Sequence, residues 1–277
     1  MELATLLSTR FVMPSMSRVV ALLLVELARP EPDLRRIDQL ISTDPGLTAR
    51  LLQAANASFF KLTGQVHSVS EALAVLRLGQ VQAMVSSASA LASFRVVPGL
   101  ALPQFWAYSL DCAKVARSLA GLVRQNQQAA YTCGLIHAAG ELAMRMAMAQ
   151  AVTLDGEAGP LDFKRGRIER AALGFCYTEV TAWLTRQWHL PQVISDALEF
   201  SHAPFDNELY EPLAGVVHLA VWRARARHAG FSENMMTVTF PSLVAEVLGL
   251  DIDMVLQQDP IDWSLQEPGR PLLEPMA

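Results

Sequence analysis

The sequence predicts an all-α protein. Apolar residues recur at three- and four-residue spacing along nearly the whole chain, and strand-like alternation is almost absent. Several of the apolar stripes also open on residues that cap helices. The most apolar run, Val19 to Ala28, is interrupted by Glu26. It is about half the ~20 residues that a membrane span needs, so it reads as a core helix. Asp33 stands at an N-cap position before Leu34, Ile37, Leu40 and Ile41, which share one face. Asp44 can cap the next helix, and Pro45 fits its first turn because the missing N–H has no helical partner there. Leu47, Leu51, Leu52 and Ala55 form its buried stripe, and Asn56 and Ser58 are turn residues after it. Ser68 and Glu71 have capping-box spacing ahead of Ala72, Val75 and Leu76, with Gly79 as the expected stop.

An Ala- and Ser-rich helix is expected from Gln80 to about Phe94, with another helix close against it. Two prolines and a glycine between Val97 and Pro103 then break the pattern. That break divides the chain into an N-terminal helical subdomain, 1–97, and a second helical subdomain, 98–277. Beyond it the periodicity predicts helices at Gln104–Arg124 and Gln127–Gln150, then a mobile loop from Asp155 to Gly166. Helices resume at Ile168–Leu173, Thr178–Trp188, Pro191–Ser201 and Leu209–Arg227, with weaker ones at Pro241–Leu248 and Asp251–Gln258. The proline-bearing tail from Pro260 is expected to be loosely ordered.

Composition narrows the function. A net charge of −5 argues against a nucleic-acid binder or an anionic-membrane binder. Arg223, Arg225, Arg227 and His228 form the one basic run, and a solvated helix face is the expected reading. Cys112, Cys133 and Cys176 make no C-x-x-C pair, which disfavours a zinc ribbon or a dithiol redox site and suits a reducing cytoplasm. Met1 to Arg10 lacks the basic start of a signal peptide. There is no G-x-S-x-G, Walker or G-x-G-x-x-G motif.

The N-terminal half carries a specific pattern. Met13-Pro14-Ser15-Met16 is followed by the helix through Glu26, by Ile37 to Ile41, and then by D-P-x-L-x-x-R-L-L-x-x-A-N-x-x-F-F from Asp44 to Phe60. Glu71-Ala72-Leu73 and Leu76-Arg77-Leu78-Gly79 continue it, as do Phe105-Trp106, Gly134-Leu135-Ile136-His137, Glu179-Val180 and Trp188-x-Leu190-Pro191. Over roughly residues 10–225 the chain resembles the HDOD family, relatives of HD-type metal-dependent phosphohydrolases. The resemblance implies an N-terminal helical subdomain packed on an HD-like helical bundle. It also implies a bacterial signalling or regulatory module without catalysis, connected with second-messenger, motility or stress pathways.

Compared with the hydrolases, this chain departs from the metal-ligand pattern position by position. The His-Asp pair reads His137-Ala138; Tyr108 and Tyr177 stand where the relatives carry histidines; Val221 stands where they carry an aspartate. His137 and His202 remain, with Glu141 or His218 as the nearest candidates to join them. Two neutral imidazoles without aspartates balance a dication poorly, so no metal, no cofactor and no catalytic residue is expected. Tyr108, His137, Glu141, Tyr177, His202 and His218 are then a vestigial pocket. His137 reads as a hydrogen-bonded core histidine, and the tyrosines either fill the metal's space or line a pocket for a small ligand. The leading expectation is a pseudoenzyme acting through protein partners in the cytoplasm. The alternatives are a divergent phosphohydrolase and a sensor of a small anionic, nucleotide-like ligand. Convergence of Arg, Tyr and His around His137 would favour the sensor. Partner recognition is expected at the 155–166 loop or at the face between the subdomains.

Overall fold

Side-chain caps start most helices of the N-terminal half. The computed structural model describes residues 3, 6, 11–57, 66–92, 96–206, 210–256 and 261–264, and none of these lies in a strand. α1 (Ser17–Leu27) ends on the buried Glu26, which accepts the backbone N–H of Asp33 at 2.9 Å and pairs with Arg29 and Arg36. One carboxylate therefore ties the end of α1 to the start of α2 (Leu34–Ile41), which Asp33 caps. Asp44 caps α3 (Pro45–Ala55), accepting from Leu47 N at 2.8 Å and from Met16 N across the chain. It is fully buried, and burial pushes its carboxyl up to about 6. Asn56 does more than close a turn. Its amide clasps both backbone groups of Val66, at 2.9 and 3.1 Å. Ser58, Phe59 and Phe60 lie outside the described residues, as do Phe94, Leu209, Gln257, Gln258, Pro260 and the end of the tail.

Ser68 caps α4 (Val69–Val75), while Glu71 reaches back to His67 N at 2.7 Å, one residue beyond a capping box. The expected stop at Gly79 is wrong. α4 ends at Val75, Leu76 is extended, and Gly79 sits in the first turn of α5 (Leu78–Ala92), which packs on α1.

The second half is built on the antiparallel pair α6 (Leu102–Leu122) and α7 (Gln127–Ile136). The pair approaches closely: a Cβ at Gly134 would fall 2.6 Å from Ala113 Cα. The single helix expected over Gln127–Gln150 is three. α8 (Ala139–Ala147) and α9 (Ala149–Thr153) follow α7 after breaks at His137-Ala138 and Met148. α10 (Arg165–Leu173), α11 (Tyr177–Gln187) and α12 (Gln192–Phe200) come next. α13 (Pro212–His228) is the hub, packed by α6, α7 and α12 and by the later α15 (Ser242–Val247) and α16 (Ile252–Leu256). The sequence reading missed α14 (Glu233–Thr239), none of whose residues is buried.

One hydrophobic core runs through both halves of the chain. Across it, Tyr131 Oη donates to Ser42 O at 2.9 Å and Thr132 Oγ1 to His67 O at 2.7 Å. No helix among the described residues is long and apolar enough to cross a membrane.

Candidate functional site

The break after α7 places His137. Its Nδ1 donates to Gly134 O at 2.8 Å, so Nε2 carries no proton and accepts from the Tyr108 hydroxyl at 3.2 Å. Burial lowers the imidazole to about 4, which keeps it neutral at pH 7. Thr181 on α11 satisfies the broken helix. Its Oγ1 accepts from Gly140 N at 2.9 Å and lies 3.0 Å from His137 O. The helices meet so tightly that a Cβ on Gly140 would fall 2.1 Å from Tyr177 O.

Tyr108, His137, Ala138, Glu141 and Tyr177 line a cavity of about 10 Å³, roughly the least that one water needs. Arg225 of α13 lines it too. The basic run is thus not a solvated face: Arg223, Arg225 and His228 are all buried. α13 is packed on several sides, so alternate residues of the run all meet protein. His228 Nε2 pairs with the fully buried Asp111 at 2.8 Å, and Arg223 stacks over Trp263. Arg225 faces the cleft, where the Tyr177 hydroxyl hydrogen-bonds its guanidinium. Burial raises Tyr177 to about 12, with Arg225 opposing the rise.

Glu141 lines the cavity, but its carboxylate is committed elsewhere. It accepts from Arg145 Nε at 2.6 Å and from Arg165 Nη2 at 3.2 Å. Arg165 also reaches Glu169 at 2.7 Å, Asp155 at 2.8 Å, and the carbonyls of Ala158 and Ala151, each at 2.7 Å. Arg145 grips Asp155 with two bonds and also reaches Pro98 O. Three carboxylates thus surround two guanidiniums. Burial, and then repulsion from Glu141, raises Glu169, with Arg165 opposing the rise. The cluster also corrects the expectation of a mobile loop from Asp155 to Gly166, since Asp155, Ala158 and Arg165 are all anchored in it. Two opposite-charge pairs at helical i,i+4 spacing, Glu141/Arg145 and Arg165/Glu169, were the sequence signal for it.

His202 and His218 do not join His137. They line an adjoining cavity of about 150 Å³ with Phe163, Ser201 and Trp222, and Tyr177 and Arg225 face both cavities. His218 Nδ1 donates to Ser201 O at 2.8 Å, and the His202 ring lies over Gly166, where a Cβ would come within 2.9 Å. Burial lowers both imidazoles, His202 to about 4.

A divalent metal does not fit this arrangement. Among the described residues, no three His, Cys, Asp or Glu side chains are grouped to hold one. His137 Nε2 faces a tyrosine hydroxyl, Ala138 and Val221 bring no donor, and a guanidinium lines the same cavity. The three cysteines are buried and free, and burial pushes their thiols up, away from reactive thiolate.

A family model described as the HDOD domain matches residues 13–204. The chain is similar to the MmoQ response regulator of Methylococcus capsulatus, at 26% identity and TM-score 0.69 over 88% of this chain and 96% of that one. A virulence factor of Campylobacter jejuni shares the fold, at 16% identity and TM-score 0.66 over 93% and 97% of the two chains. A Treponema pallidum protein is 26% identical over 197 residues, which are 69% of this chain and 38% of that protein's length. The chain thus matches well under half of that relative.

Proposed function

The chain belongs to the HDOD domain family, and on that premise we propose that it is a non-catalytic signalling module that works by contacting protein partners. One observation carries the non-catalytic part. Around His137, the place of a metal and its waters is taken by a tyrosine hydroxyl and by Arg225, a cation buried to 9% exposure. A fixed positive charge there opposes a dication, and the carboxylate that lines the cavity among the described residues, Glu141, already serves two arginines. A regulatory role agrees with the similarity to MmoQ, a response regulator that this chain matches along most of its length.

Of the two partner regions expected from the sequence, the groove between the halves is better supported than the anchored 155–166 segment. The groove has a volume of about 360 Å³ where α3 and α5 meet α11, with Phe11, Arg50, Gln53, Trp183 and Trp188 in its walls. Phe11 and Trp183 are half-buried there beside polar groups, which is what partner anchors require.

The test is complementation of a deletion strain with protein abundance measured alongside. His137→Ala is expected to impair signalling only through lost stability, about 1–3 kcal/mol for one buried hydrogen-bonding group. Trp183→Ala is expected to lose signalling at normal abundance. A His137→Ala protein that is folded, abundant and inactive would overturn the proposal in favour of chemistry or ligand sensing at His137.

A further inference from the structure

We propose that the cavity between α11, the end of α12 and α13 binds a small oxyanion of the phosphate class, held by the guanidinium of Arg225. The observation is a buried cation without a counter-charge. The two most deeply buried guanidiniums, Arg145 and Arg165, are each surrounded by carboxylates, and the buried Arg223 donates to Val255 O. Arg225 is 9% exposed and forms no ion pair with a carboxylate among the described residues. Its Nε is fully buried and has no hydrogen-bond partner among the described residues. Tyr177 supplies a neutral hydroxyl only. A guanidinium kept this way bears a large desolvation cost that an oxyanion would offset, with two parallel charge-assisted hydrogen bonds matching its fork.

The surroundings suit that ligand. Beyond Arg225 the cavity wall carries Tyr177 and His202, each able to donate to oxygen, and His218, whose one N–H is given to Ser201 O; none of the three brings negative charge. No carboxylate lines the cavity among the described residues, and Asp206 and Glu179 are already paired with Arg170, at 3.4 and 3.5 Å. At about 150 Å³ the cavity is well below the ~300 Å³ at which sites for drug-sized ligands begin. It therefore takes a phosphate, or the phosphate end of a small monoester, and not a whole nucleotide. The inference rests on the reading that this cleft is no metal centre, so metal content is measured in the same samples.

The experiment uses the full chain, treated with EDTA and analysed for residual metal, in low-salt buffer. Inorganic phosphate, sulfate and glycerol phosphate are titrated by calorimetry, with chloride at matched ionic strength as control. The histidine ring signals are followed by NMR in the same series. Saturable binding of one anion per chain, at about millimolar or tighter, is expected, weakened about tenfold or more in Arg225→Met. Stronger binding of glycerol phosphate than of phosphate identifies a monoester as the natural occupant; the reverse identifies the free ion. His202 and His218 signals should shift along the binding curve, while those of the exposed His189 stay fixed, and this readout needs no variant. No saturable binding, equal binding by a folded Arg225→Met protein, or unmoved His202 and His218 signals would overturn the proposal. Equal stabilisation of parent and variant would mean only the general exclusion effect of such salts, and would count against it too. Phosphate binding that appears only when metal is restored would instead defeat the reading of the cleft as metal-free.

Discussion

Arg165→Met tests whether the buried cluster holds this half of the molecule together. The guanidinium makes five polar contacts, to Glu141, Asp155, Glu169 and the carbonyls of Ala151 and Ala158, and the side chain is 1% exposed. Removing one partner of a buried ion pair costs about 3–5 kcal/mol, because the remaining charges stay out of water. With a urea m-value of about 3 kcal/mol/M, the unfolding midpoint should fall by roughly 1–1.7 M. The matched control is Arg186→Met, whose pairs with Asp196 and Glu199 lie on an arginine with 39% exposure. That change should cost less than about 1 kcal/mol. If Arg165→Met shifts the midpoint no more than Arg186→Met does, the cluster is not structural and the anchoring of the 155–166 segment to it is wrong.

Two further predictions concern the cleft. His137 titrates at about 4 in the folded protein and near 6.5 when unfolded. The unfolded chain therefore takes up the proton first, and stability is full above pH 6.5 and falls as pH drops toward 4, by about 3 kcal/mol. Asp44, raised to about 6, and Glu169, also raised, slope the opposite way. The parent must therefore be compared with His137→Gln by urea unfolding at each pH. The difference should close toward pH 4, and a constant difference would contradict a neutral, buried His137. Arg225→Met should be neutral or stabilising in anion-free buffer, since it removes a buried charge that no carboxylate among the described residues pairs with. A loss of more than about 3 kcal/mol in thermal or urea unfolding would show that the guanidinium is structural.

Local chemistry made the N-terminal half legible. Asp33, Asp44 and Ser68 cap where a short polar side chain precedes an apolar stripe, and nothing from elsewhere in the fold overrides them. Gly79 misled because the chain stops helical pairing at Leu76, before the glycine. The break at His137-Ala138 could not be read locally either. No proline or glycine stands at it, since Gly134 and Gly140 lie inside the helices on either side, and Thr181, more than forty positions away, satisfies the exposed backbone. Tyr108, His137 and Tyr177 were placed together by comparison with metal-binding relatives, and they line one cavity. Arg225 was misjudged because arginines two apart normally diverge into solvent. That expectation fails on a helix packed by α6, α7, α12, α15 and α16.

Elemental analysis addresses the central claim most directly. The full chain is purified, incubated separately with Mn²⁺, Ni²⁺ and Fe²⁺, desalted, and measured for metal per chain and for hydrolysis of phosphomonoesters and phosphodiesters. The account predicts well under one metal per chain and no metal-dependent hydrolysis. One metal per chain, lost in His137→Ala along with hydrolysis, would contradict it and make the protein a phosphohydrolase.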